Sequence, residues 1–119
     1  MNKTQVGNIG EKAAADYLHN AGYTILEQKY RRTIGEIDII AKMNHTLVFV
    51  EVKTRSSTRY GFPAEAVTYH KQQKIIYTAL CYLKQIKQED VCCRFDVIEI
   101  FLTDLTVVKY NHIQNAFSN

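Results

Sequence analysis

The chain is 119 residues long, 46% apolar and 23% charged with a formal charge of +3, which fits a single domain over residues 1–119 and leaves no room for two. A chain of this size buries roughly two-thirds of the surface it exposes when unfolded, enough for one core without disulfides or a structural metal. Its apolar runs, such as Thr46 to Val50, fall short of the roughly 18 residues of a membrane span, and Met1-Asn2-Lys3-Thr4-Gln5 has no apolar signal core. The three cysteines show no C-x-x-C spacing, so the expectation is a cytoplasmic protein with reduced, mostly buried thiols and no membrane partner.

Taken in chain order, Val6, Ile9, Ala13, Ala14, Tyr17 and Leu18 recur at helical spacing, and Asn20-Ala21-Gly22 stops the helix. Tyr23 to Gln28 reads as a short strand, followed by Lys29-Tyr30-Arg31-Arg32 in a loop ending at Gly35. Glu36 to Ala41 and Leu47 to Lys53 read as strands joined by a connection short enough for a hairpin. The second is apolar on both faces until Glu51, as in a central strand covered on both sides. A long helix is expected from about Thr68 to Gln88, with Gln72, Ile75, Ile76, Ala79, Leu80 and Leu83 turned inward. Phe95 to Leu102 and Leu105 to Tyr110 then read as two strands that turn at Thr103-Asp104. The order predicts an α/β fold, a central mixed β-sheet flanked by helices.

The chemistry follows from register. A hairpin centred on Asn44-His45 sets Ala41 against Val48 and therefore Asp38 against Glu51, on one face and with Cβ atoms about 5 Å apart. Lys53 shares that face, because side chains alternate along a strand. A one-residue slip would send Asp38 to the other face. Two close carboxylates repel unless a cation or hydrogen bonds compensate, and a hard divalent ion such as Mg2+ or Mn2+ takes one or two carboxylates while keeping waters for a phosphate to replace. Lys53 beside them can orient or deprotonate water, or neutralise charge on the phosphate. Glu11 lies at the margin of the first helix's apolar stripe and could join them over the sheet edge. The plainer readings are an exposed helix glutamate for Glu11 and an ion-paired trio for Asp38, Glu51 and Lys53.

Gly10-Glu11-Lys12-Ala13-Ala14, Gly35-Glu36-Ile37-Asp38-Ile39-Ile40-Ala41, Phe49-Val50-Glu51-Val52-Lys53-Thr54-Arg55, Pro63-Ala64-Glu65-Ala66-Val67, Arg94-Phe95-Asp96-Val97 and Asn115-Ala116-Phe117 together resemble the bacterial YraN family of uncharacterised proteins. That family looks like a branch of the restriction-endonuclease-like PD-(D/E)xK superfamily and is similar to archaeal Holliday-junction resolvases. The resemblance implies a restriction-endonuclease-like sheet with a magnesium site at one edge. It places the first-helix glutamate on Glu11, the metal-binding aspartate on Asp38 and the E-x-K pair on Glu51 and Lys53. Asp38 follows Ile37, so the proline of the superfamily's name is absent. On this reading Asp38, Glu51 and Glu11 hold the metal and act with Lys53 in catalysis. Arg31, Arg32, Arg55, Arg59, Lys71 and Lys74 belong to a basic rim around the site, and Gln72 can hydrogen-bond a phosphate or the attacking water. The expected activity is hydrolysis of phosphodiester bonds in DNA, branched or junction DNA included, by a chain for which the resemblance suggests a homodimer. The alternatives are a catalytically inactive nucleic-acid-binding module of the same fold and a protein-interaction domain with scattered charge.

Overall fold

A computed structural model describes residues 2–57, 67–88 and 90–119. Helix α1 spans Lys3–Asn20; the Asn2 side chain accepts from the Gln5 N–H while the Gln5 side chain accepts from the Asn2 N–H, a reciprocal cap that satisfies two donors of the first turn. Beyond the C-cap residue Ala21, Gly22 adopts φ +96°, a left-handed conformation that a Cβ would strain.

Five strands follow in two groups: β1 (Thr24–Arg32), β2 (Gly35–Met43) and β3 (Thr46–Ser56), then, after helix α2 (Tyr69–Ile86), β4 (Cys92–Thr103) and β5 (Thr106–Phe117). They form one sheet in the order β1-β2-β3-β4-β5, with β3 and β4 parallel and all other pairs antiparallel. A parallel pair requires a crossover, and α2 supplies it. The architecture is α/β with a mixed sheet, compatible with a restriction-endonuclease-like fold, and the expected order of elements holds.

Each helix covers one face. Ala13, Ala14 and Leu18 of α1 pack on Ile39, Ala41, Val48, Val50, Ile98 and Ile100. Ile75, Ile76, Ala79 and Tyr82 of α2 pack on the other face, against Ile37, Ile40, Leu47, Phe49 and Val97. Leu47, Val48, Phe49 and Val50 are at most 2% exposed, so β3 is the two-sided central strand its composition predicts. Among the described residues no helix is long and apolar enough to cross a membrane.

Three expectations need correction. The segment read as a loop at Lys29-Tyr30-Arg31-Arg32 is the second half of β1, because Tyr30, Arg31 and Arg32 pair with Ile37, Glu36 and Gly35. Cys81, Cys92 and Cys93 are exposed free thiols, since they fall on the outer side of α2 and at the leading end of β4. Leu80 is 47% exposed, because the inward stripe of α2 passes through Ala79 and Tyr82 instead.

Candidate active site

The β2–β3 ladder runs from Met43 opposite Thr46 to Ile39 opposite Val50 and stops one position short of Asp38 and Glu51. This is the register expected from a turn at Asn44-His45, where Asn44 takes the left-handed conformation at φ 54°. At Asp38 the regular ladder gives way: the Val52 N–H donates to Asp38 Oδ2 at 2.8 Å, so a side chain replaces a backbone acceptor. Both carboxyls open into a cleft of about 230 Å³, shared with Gly35, Glu36, Lys71 and Lys74, on the α2 side of the sheet.

The electrostatics are those of two acids that resist ionising together. Burial, followed by the negative charge of Glu51, pushes the Asp38 carboxyl up to about 7, against the pull of the Val52 N–H. Burial raises Glu51 as well, although Lys53, the hydrogen bond from Asp38 and Lys71 all draw it down. The pair therefore retains a proton, carried by Asp38 and shared with Glu51, well above the ordinary carboxylate range. Lys53 is 8% exposed, and its Nζ lies 3.9 Å from Glu51 Oε1. Such a donor set, two acids holding a proton in place of a cation, suits a hard ion that needs one or two protein carboxylates.

Glu11 is partly separated from them. Burial and then the charge of Asp38 raise its carboxyl, which puts it within electrostatic reach. Yet among the described residues no three His, Cys, Asp or Glu side chains gather closely enough to hold a metal. The reason is topological: α1 lies on the face opposite the cleft, so Glu11 contributes charge without completing a three-carboxylate donor set.

The basic residues divide into two kinds. Lys71 and Lys74 line the cleft. Arg31 stands 3.3 Å from Glu36, and Arg32 lies 4.3 Å over the Tyr30 ring while donating to Gln85. Arg55 corrects the sequence reading: it is 4% exposed and binds Glu99 at 2.9 Å, so it braces β3 against β4 instead of reaching outward to a phosphate. Gln72 lines the neighbouring depression with Lys53, and its Nε2 donates to the Val67 carbonyl at 3.0 Å, closing the entry to α2. Arg59 and Glu65 lie outside the described residues.

A second polar constellation, on the α1 face, went unread in the sequence. Asp96 is wholly buried and accepts from Arg94 twice, from the Asn115 N–H and from His112 Nε2 at 2.7 Å. Arg94 also donates to the Tyr23 hydroxyl, and His112 Nδ1 meets the Tyr17 hydroxyl at 3.1 Å. Burial would raise Asp96, but His112, Arg94 and the Asn115 N–H outweigh it, and its carboxyl is held below the usual range. The sequence signal was the Arg94–Asp96 pair, two residues apart and therefore on one face of a strand.

The chain resembles a broader group of sequences. Residues 10–100 match Uncharacterised protein family UPF0102. The chain belongs to that family. A UPF0102 protein of Alkaliphilus oremlandii is 52% identical, over 98% of this chain and all of its own length. One from Caldanaerobacter subterraneus subsp. tengcongensis is 50% identical over 98% of both chains, and one from Clostridioides difficile is 47% identical over 98% of this chain and all of its own. The family match spans α1 from Gly10, the whole β2–β3 hairpin and most of β4, and so takes in Glu11, Asp38, Glu51, Lys53 and Asp96.

Proposed function

We propose that this UPF0102 chain is a metal-dependent nuclease that hydrolyses phosphodiester bonds in DNA, with branched or junction DNA among its substrates. The observation that carries this reading is the Asp38–Glu51 pair: two half-buried carboxyls that open into one cleft, with Lys53 adjoining and Lys71 and Lys74 on the cleft wall. Two such acids are costly to keep ionised together unless a cation or hydrogen bonds compensate.

Asp38 and Glu51 would hold Mg2+ or Mn2+. When bound, that ion makes a coordinated water a stronger acid and, by polarising a phosphoryl oxygen, the phosphorus more electrophilic. The chain's own residues do the rest. The Val52 N–H fixes the orientation of Asp38, and Lys53 places an ammonium where charge builds on the non-bridging phosphate oxygens. Lys71 and Lys74 position the phosphate from the α2 side. The attacking water oxygen forms its bond to phosphorus as the bond to the leaving sugar oxygen breaks. The water's proton passes to solvent, and the departing oxygen takes one up. A homodimer would let one small cleft per chain act on both strands of a duplex.

The test is cleavage of matched linear, flap and four-way-junction DNA by purified protein with magnesium or manganese. Cleavage is expected to fall by at least a hundredfold in Glu51→Gln and in Lys53→Ala. Equal nicking by these variants would assign the activity to a contaminant.

A further inference from the structure

Most of the chain's cations are committed to the protein itself. Lys12 pairs with Asp16, Lys29 with Asn8, Arg31 with Glu36, Arg32 with Gln85, Lys53 with Glu51, Arg55 with Glu99 and Arg94 with Asp96, while Lys109 lies over Phe101. Among the described residues Lys3, Lys42, Lys71, Lys74, Lys84 and Lys87 make no hydrogen bond or ion pair through their ammonium groups. All but Lys3, at the start of α1, lie on α2, at its C-cap, or on the hairpin arm beside that cap. Helix α2 itself, Tyr69–Ile86, contains Lys71, Lys74 and Lys84 and no acid.

Their order in space follows from helix geometry. At about 100° per residue, Lys71 and Lys74 stand on the flank beside the carboxylate cleft, Lys84 falls on the outer side, and Lys87 reaches the far end. The lysines thus mark a diagonal across the exposed face of α2, with Tyr77, 50% exposed, between Lys74 and Lys84. The path starts at the cleft holding Asp38 and Glu51 and finishes at a larger one of about 450 Å³, which Lys42, His45 and Lys87 line with Asp90 as its one acid among the described lining residues. From Lys71 to Lys87 the rise is about 24 Å, at about 1.5 Å per residue. That corresponds to roughly seven nucleotide steps along a strand of about 3.4 Å each.

We propose that this diagonal is a phosphate track: Lys74, Lys84, Lys87 and Lys42 hold spaced phosphates along a nucleic-acid strand that leaves the carboxylate cleft toward the β2–β3 turn. The proposal rests on the nuclease reading for the identity of the polyanion and adds to it the side of the scissile bond on which the protein grips. A bilayer fits less well. A membrane-surface helix needs a continuous apolar face turned outward, and α2 buries its apolar face on the sheet.

The experiment compares the full chain with Lys42→Gln/Lys84→Gln/Lys87→Gln. The altered residues are exposed, so folding is retained, which circular dichroism verifies. Binding of a labelled 20-nucleotide duplex and single strand is measured between 50 and 200 mM salt in calcium, with Lys12→Gln/Lys29→Gln/Lys109→Gln as a control of equal charge. The plot of log affinity against log salt is expected to become shallower in the track variant by about 2.7 on the duplex and about 2.1 on the single strand, at about 0.9 and 0.7 per lost phosphate contact, and to change little in the control. Hydrolysis of bis(p-nitrophenyl) phosphate, too short to touch the track, is expected to be unchanged. Equal slopes for wild type and track variant, or an equal loss in the control, would overturn the track. So would loss of binding to phosphatidylserine vesicles with duplex binding intact. Track-dependent binding without cleavage under either metal would retire the nuclease reading and leave the track standing. Absence of nucleic-acid binding by the wild-type chain would end both.

Discussion

At the scale of single residues, two aspartates have opposite environments and therefore opposite effects on stability. Asp38 holds its proton up to about pH 7, whereas an unfolded aspartate releases it near about 4. Below that lower value the acid is protonated in both states. As pH rises from about 4 to 7 the folded chain alone retains the proton, so stability contributed by this group falls across that window. Asp96 is the reverse case: its carboxyl is held down, so its contribution is complete above the ordinary carboxylate pKa and is lost as pH drops below it. The metal-free protein is therefore expected to be most stable near pH 4 to 5, with Asp38→Asn removing the decline toward neutrality. Urea unfolding from pH 3 to 8 measures this, and a wild-type optimum at pH 7 or above would contradict it. Replacing Asp96 by Ala leaves Arg94 and His112 facing a buried gap and is expected to cost about 3 kcal/mol or more. Denaturant midpoints that moved by less than about 1 kcal/mol would show that the network is dispensable. The first aspartate was legible in the sequence because hairpin register is simple arithmetic. The second was not, since its partners come from α1, the start of β1, β4 and β5, and no local pattern reports that convergence.

At the scale of elements, pattern served well where a face is buried and poorly where pairing alone sets the limit. The stripe of α1 and the two-sided β3 were visible as apolar periodicity. The outer half of β1 was not, because Arg31 and Arg32 belong to the strand through partners on β2, and charge-rich residues in a ladder look like a loop when read singly. The same division explains Arg55. Its position after Lys53 suggested an outward cation, but period-two alternation returns it to the face carrying Glu99. The contact of α1 with the sheet gives a sharper instance. A Cβ built on Gly10 would lie 1.8 Å from Thr54 Oγ1 and within 2.9 Å of its other two side-chain carbons. No rotamer of a β-branched residue clears all three, so the helix would have to lift from β3. Gly10→Ala is expected to destabilise by about 1 to 3 kcal/mol despite alanine's better helix propensity, with Thr54→Gly restoring much of the loss. A thermal midpoint raised by Gly10→Ala would show that propensity wins over packing. Because Glu11 is the next residue, the same lift would also weaken its electrostatic effect on Asp38.

At the scale of the whole molecule, the acid pair sits where the pairing of β2 with β3 gives out. The sheet's two faces are sealed by α1 and α2, and the departure of the β2–β3 ladder after Ile39 and Val50 exposes the only half-buried acid pair among the described residues that shares a proton. Folding therefore sets aside stability there, and a cation that binds the folded state alone should return it through mass action. The proton and the metal compete for the same oxygens, so the return depends on pH. At pH 5 the shared proton already relieves the repulsion and magnesium should raise the melting temperature little. At pH 8, where Asp38 and Glu51 otherwise both ionise, the rise should be several degrees, with little proton uptake on metal removal. Asp38→Asn/Glu51→Gln is expected to melt higher than wild type without metal and to show no metal response at either pH. Calorimetric scans with magnesium, with manganese and with chelator distinguish this from general ionic strength when sodium is matched. A metal response of equal size at both pH values, or one that survives the double substitution, would place the ion elsewhere and leave the acid pair as a purely structural feature.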